Sequence, residues 1–271
     1  MELIAASICC RGYVADEVAG ILELAPRLGY PAIELHGPLT WSVAAVEALD
    51  QAAVSAQIAA AGVRCAGIYT PGWGGCDDAD VSARARAIAT LARFAARLGG
   101  GHVTSTGAEP RGVPGALDRL LACVGQVLDL LDVDSPVKLT LEPHFGNTLQ
   151  EPEDFAAVLD AWPDARLGVC VDTGHFHSAG VDIPAFIHRF APRVHAVHLK
   201  DHIGTRSVGV GRGEIDLRAV VAALRDIGYR GGLTVELEVD DPQHLPLYTH
   251  EAYVYLSGLL GSKLAPRRDL S

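Results

Sequence analysis

The sequence predicts an α/β protein folded as a single (β/α)8 TIM barrel, on three observations. Short apolar or β-branched runs alternate with longer Ala- and Leu-rich segments of helical period, and the alternation repeats eight times. The 271 residues suit one barrel with one core, and no composition break or Ser/Pro linker divides them. Polar residues collect at late strand positions, the end of a barrel that carries the loops of its active face. The barrel domain is therefore expected over residues 1–261, followed by a short, loosely ordered C-terminal tail, SKLAPRRDLS, over 262–271.

In chain order, the first strand is LIAASI (3–8), an apolar run without charge, and the second is AIELHG (32–37), which closes on a turn glycine. VRCAGIY (63–69) and GHVTST (101–106) follow as the third and fourth. VKLTLEPH (137–144), RLGVCVD (166–172), VHAVHLK (194–200) and LTVELE (233–238) complete the set, each apolar at alternate positions and polar at its end. Helices are expected over Ala44–Ala61, Val81–Leu98, Leu117–Leu131, Pro152–Ala161 and Leu217–Ile227, with Gly29, Gly62, Gly99 and Gly228 standing where helices end.

Composition narrows the function classes. The formal net charge of −11 is spread along the chain, so there is no basic footprint for a nucleic-acid backbone. Hydrophobic residues make up 49%, yet the apolar runs fall far short of the roughly 20 residues a bilayer needs. No charged segment precedes an apolar one at the start of the chain. The expectation is a soluble, unexported, cytoplasmic protein without nucleic-acid or membrane partners, with self-association into a homo-oligomer left open. The six cysteines form no CxxC pair, and Cys9, Cys65 and Cys170 sit in apolar strand-like segments as reduced thiols do. Lysine is rare in this Arg-rich chain, so Lys200 draws notice.

Residues two apart in a strand share a face, which tests what converges on the barrel mouth. Lys138, Thr140, Glu142 and His144 share one face; Gly168, Cys170 and Asp172 the next; Val194, Ala196, His198 and Lys200 a third; Thr234, Glu236 and Glu238 a fourth. Two glutamates, an aspartate and a histidine brought together would repel one another without a cation, and a divalent metal removes that cost. Carboxylate dominance and the lack of thiolate suit Mn2+, Mg2+ or Co2+ better than a structural zinc, with Zn2+ still compatible. Each residue also has a plainer reading. A lone Glu commonly makes a loop salt bridge, Asp172 in VDTG suits an Asx turn, and His198 between Val197 and Leu199 suits a satisfied core histidine. Their coincidence at equivalent late positions of four consecutive strands argues for the joint reading.

Weaker signals surround this set. Glu34 and His36 either line the mouth or make loop hydrogen bonds. His195 should point opposite to His198, His188 belongs on a solvated helix, and GVGRG (209–213) is either a phosphate-holding loop or a flexible one. Trp41, Tyr69 and Trp73 either form a sugar-stacking wall or cover the barrel rim.

The ordered motifs LTLEPH, VDTGHFHSAG, VHAVHLKD and GGLTVELEVDDP resemble the sugar phosphate isomerase/epimerase superfamily of xylose-isomerase-like barrels, most strongly from Lys138 to Pro242. The resemblance implies one divalent metal on Glu142, Asp172, His198 and Glu236, with Glu142 and Glu236 also acting as acid and base on opposite sides of a bound ketose. It implies that His175, in the turn after Asp172, contacts substrate oxygen. By their places on the strand faces and rim loops, Lys200, His144, Glu238, Trp41 and Tyr69 are further substrate-facing candidates. Glu238 shares a face with Glu236, and the motif match alone selects Glu236 as the ligand. The expected chemistry is proton transfer beside a carbonyl of a keto-sugar, sugar phosphate or cyclitol, with a metal-stabilised enediolate. The same motifs resemble inosose-type dehydratases, in which a β-hydroxyl then leaves. An endonuclease-IV-like phosphodiesterase fits less well, because Thr205, Arg206 and Ser207 stand where that family has an Asp-x-His pair. A non-catalytic barrel subunit leaves the clustered carboxylates without a reason.

Overall fold

A computed structural model describes residues 1–261; the expected tail over 262–271 lies outside the described residues. Eight parallel strands close into a barrel: β1 (Glu2–Ala6), β2 (Ala32–Leu35), β3 (Arg64–Tyr69), β4 (His102–Ser105), β5 (Lys138–Leu141), β6 (Leu167–Asp172), β7 (Val194–Leu199) and β10 (Gly232–Val235). Between β7 and β10 a small antiparallel hairpin, β8 (Asp201–Ile203) and β9 (Arg206–Val208), rises from the rim. Around the barrel run α1 (Glu17–Leu28), α2 (Val43–Ala48), α3 (Gln51–Ala61), α4 (Asp78–Arg97), α5 (Ala116–Leu130), α6 (Pro152–Ala161), α7 (Thr173–Ala179), α8 (Ile183–Arg189), α9 (Leu217–Asp226) and α10 (Leu245–Leu260). Among the described residues, no helix is long and apolar enough to cross a membrane.

Strand alternation divides the sheet into two environments. Ile33, Ile68, Val103, Leu139, Val169 and Leu233 are fully buried and pack in the main core with helix residues such as Ile88, Leu91 and Phe155. The opposite face, inside the barrel, is polar: Thr104 and Thr140 share a hydroxyl–hydroxyl bond of 2.7 Å, and Glu34 reaches His198 from across the ring. Apolar burial outside the barrel supplies the driving force for folding, which leaves the interior free to carry chemistry.

Three local expectations give way to the structure. The segment expected as one helix over 44–61 breaks at Leu49, because the Asp50 carboxylate accepts from Ala53 N–H at 2.9 Å and starts a second helix. Within VDTGHFHSAG, Thr173–Ala179 is a helix and not a turn: Asp172, the last residue of β6, caps α7 and Gly180, at φ 73°, ends it. In β7 the register steps from Val169↔Val194 to Cys170↔Ala196, so one extra residue interrupts the alternation. His195 is therefore not turned away from the barrel interior, since a Cβ added to Gly168 would lie 2.4 Å from its Nδ1.

Candidate functional site

The register sets the site's levels. His198 pairs with Asp172 on one side and Thr234 on the other, and Glu142 and Glu236 lie one residue beyond the ends of β5 and β10. The four expected ligands come together, with one donor atom from each of Glu142, Asp172, His198 and Glu236 lying within 4.8 Å of the others, all four side chains buried. His198 Nδ1 stands 2.5 Å from Glu142 Oε1 and 2.9 Å from Glu236 Oε2. Asp172 divides its work: Oδ1 accepts the His175 N–H at 2.8 Å to cap α7, and Oδ2 is buried with no hydrogen-bond partner among the described residues. Glu236 Oε2 is also buried outside hydrogen-bonding geometry.

These orphaned oxygens and the convergence of three carboxylates on an imidazole fit a divalent cation. Burial, with Glu236 and Glu142 adding to it against the pull of Lys200, pushes the Asp172 carboxyl up to about 7. Burial alone would also raise Glu236, but Lys200 and His198 outweigh it and hold that carboxyl well below its ordinary range. Other donor groups able to hold a metal, such as Glu142 with Cys170, share His198 with this cluster. Burial pushes the Cys170 thiol far above its usual range.

Lys200 is the internal counter-charge. Its buried ammonium lies 3.0 Å from Glu236, 3.5 Å from Asp172 and 2.7 Å from Glu238. Burial would lower its pKa, but Asp172, Glu236 and Glu238 outweigh it and raise it well above the ordinary value. Glu238 itself is 38% exposed and reaches Arg11 at 3.7 Å, so burial and donor geometry both separate it from Glu236. His175 stands 3.4 Å from Lys200 Nζ and accepts from the Phe145 N–H at the same distance. Burial, then the charges of Lys200 and His144, press the His175 imidazole well below its ordinary pKa and keep it neutral. His144 is exposed at the rim and stacks on His175 with ring centroids 4.0 Å apart.

The aromatic residues have different standings. Tyr69 donates its hydroxyl to Glu142 Oε2 at 2.5 Å and meets Trp41 edge-on at 6.5 Å, so both border the mouth. Trp73 does not: it is fully buried, and its indole donates to the Thr140 carbonyl at 3.2 Å. Arg11, missed in the sequence, lies with its guanidinium 3.9 Å from the Trp41 ring centre, making a loop contact between distant segments. Glu34 lies on β2 at 0% exposure, and His36, buried one residue past the end of β2, bonds Ser7 through its backbone and brings its ring 3.2 Å from Glu34 and 3.9 Å from Glu236.

The glycine-rich loop is committed elsewhere. The Gly211 and Gly213 N–H groups donate to the buried Asp201 carboxylate at 2.9 and 2.8 Å, so these two amides are not offered to a phosphate. His177 reaches Glu214 at 3.3 Å, and exposed His188 pairs with Asp226 at 3.6 Å.

A closed parallel barrel with a buried carboxylate–histidine cluster at the carboxyl ends of its strands defines the class. The chain belongs to the xylose isomerase-like TIM barrel family, whose model matches residues 22–256. It is 30% identical over 161 residues to an inosose dehydratase of Klebsiella pneumoniae, covering 49% of this chain and 52% of the relative. The chain thus spans about half the length of the curated relatives it matches. Among solved structures it resembles the apo 3-keto-D-glucoside 4-epimerase YcjR of E. coli, with a TM-score of 0.74 at 18% identity, covering 95% of this chain and 99% of that one. It also resembles an IolI protein with a bound zinc atom, with a TM-score of 0.79 at 16% identity over 96% and 98% of the two chains. At such identities the structural likeness is one of fold.

Proposed function

We propose that this protein is a metal-dependent enzyme that transfers a proton at the carbon beside the carbonyl of a keto-sugar or ketocyclitol, as an isomerase or epimerase. The observation that carries this reading is the convergence of Glu142, Asp172, His198 and Glu236 on one buried point at the barrel mouth. These four would hold one divalent ion, Mn2+ by the dominance of carboxylate donors, with Mg2+, Co2+ or Zn2+ compatible; zinc occupies the IolI relative in fold. When bound, such an ion supplies Lewis-acid polarisation of a carbonyl oxygen and stabilises the charge that develops there.

The chain's own groups do the proton work. Glu142 and Glu236 approach His198 from β5 and β10, on either side of it, and are the proposed base and acid. Tyr69 fixes the Glu142 carboxylate through its hydroxyl, and Lys200 keeps Glu236 ionised. His175 and the Lys200 ammonium, 3.4 Å apart beside the cluster, are the proposed contacts to substrate oxygen, and His144 and Trp41 border the opening. Substituting glutamine for Glu142 or Glu236 should reduce turnover of a responsive ketose by at least about 10³-fold, given what a positioned acid or base contributes. Near-normal turnover would overturn the assignment.

A second reading, dehydration, draws support from the inosose dehydratase relatives. The same α-proton removal is then followed by departure of the β-hydroxyl as water, with the proton taken up by the base glutamate returned to the leaving oxygen. Product analysis separates the two. Dehydration yields an absorbing enone or dione with loss of water, whereas epimerisation conserves mass and yields no new chromophore.

A further inference from the structure

Beneath the cluster, inside the barrel, lies a group the proposed chemistry does not use. Glu34 of β2 is fully buried, and both of its oxygens are engaged. Oε1 lies 3.1 Å from His198 Nε2 and 3.2 Å from His36 Nε2. Oε2 accepts the Thr234 hydroxyl at 2.8 Å and stands 3.3 Å from His102 Nε2. The carboxylate therefore links β2 to β4, β7 and β10 across the barrel and has little freedom to rotate.

Space for this arrangement is written into the neighbouring strand. A Cβ on Gly67 of β3 would lie 2.3 Å from His102 Nε2, so only glycine lets that imidazole stand against Glu34. Its consequence falls on His198, whose two nitrogens face opposite ways. Nδ1 looks up at Glu142 and Glu236, and Nε2 looks down at Glu34. Carboxylates face both nitrogens, so either can hold a proton; a cation on the Nδ1 side would leave the proton at Nε2, where Glu34 accepts it.

We propose that Glu34 is a positioning residue that fixes the tautomer and ring orientation of His198 and so sets the affinity of the mouth for its divalent cation. The inference rests on the metal reading given above. Thr234 acts on Glu34 in turn, by donating to the oxygen that does not face His198, with His102 Nε2 3.3 Å from the same oxygen.

The test measures metal binding to the chelator-stripped, full-length protein, without substrate. Zn2+ and Co2+ affinities are measured by competition with a chromophoric chelator, the Co2+ absorption spectrum is recorded, and bound metal is counted by mass spectrometry. The wild type should take up one equivalent, and Glu34→Gln should retain that stoichiometry with affinity weaker by about 10–100-fold. Thr234→Val, which leaves Glu34 in place, should weaken binding less; it supplies the comparison if Glu34→Gln fails to fold. Nitrogen-15 spectra of the Zn2+-loaded wild type should show a protonated Nε2 on His198. Wild-type affinity in Glu34→Gln and Thr234→Val, or an unprotonated Nε2, would overturn the inference. Two equivalents in the wild type and one in Glu34→Gln would overturn it differently, by making Glu34, His102 and His198 ligands themselves. A wild type that takes up no cation contradicts the parent metal reading, an outcome distinct from wild type and variants binding one ion equally.

Discussion

Replacing Lys200 with methionine would remove an ammonium that faces the buried carboxylates while keeping much of the side chain's length. Lys200 is 2% exposed and lies 3.0 Å from Glu236 and 3.5 Å from Asp172, both buried. Its third partner, Glu238, is 38% exposed, so solvent screens that pair and it adds little. Removing one partner of a buried ion pair costs about 3–5 kcal/mol, because the remaining charge loses its compensation. At about 2–4 °C per kcal/mol for a domain of this size, the metal-free variant should melt roughly 6–20 °C below the metal-free wild type. Saturating Mn2+ should restore much of the difference, since a cation on Asp172 and Glu236 replaces the missing charge. Differential scanning calorimetry at one scan rate, with chelator and then with Mn2+, measures both quantities. A metal-free variant within about 2 °C of wild type would refute the reasoning, because the carboxylates would then not depend on Lys200 for compensation.

Other expectations follow from the same geometry. His195 is pushed down to about 4 by burial and by Lys138 and Arg193, from an unfolded value of 6.5. It therefore contributes stability that is complete above pH 6.5 and lost as pH falls toward 4; urea melts at pH 7 and 4.5 should differ less in His195→Gln than in wild type. Gly213→Ala would place a Cβ 2.1 Å from Asp201 Oδ1 and displace the carboxylate from the loop amides. The expected loss is about 2–4 kcal/mol, read as faster amide exchange over residues 209–215. Asp172→Asn keeps the cap on α7 but gives up the carboxylate oxygen Oδ2 that a cation would take, so metal uptake should fall while the circular dichroism spectrum is retained.

Much of this site is written in strand alternation. Glu142, Asp172, His198 and Glu236 are legible because each ends a run of period two, and the barrel brings such ends together. Their neighbours are less so. Asp172 closes a strand and caps a helix at once, so the polar VDTG stretch reads as a turn, although Gly180 at the far end is a helix-stop signal. The extra residue in β7 changes the environment of His195 without any mark in the sequence, since it shows only in pairing with β6. Trp73 and Tyr69 look alike in a list of aromatics, yet one bonds a strand carbonyl and the other a site carboxylate. Glu34 looks like any polar residue at a strand's end. Its contact with His198 spans 164 positions and appears only when the barrel closes.

The central claim is that a cation-dependent pair of glutamates moves a proton beside a carbonyl, and solvent-isotope exchange reads that step whatever follows it. The metal-loaded wild type is incubated in D2O with a panel of ketoses, 3-keto-glucosides and inososes, and the α-carbon is followed by NMR and mass spectrometry. The account predicts deuterium uptake at one α-carbon of a responsive compound, abolished by chelation, restored by Mn2+, and reduced at least about 10³-fold in Glu142→Gln and Glu236→Gln. Exchange that persists without metal, or with both glutamates replaced, would contradict it.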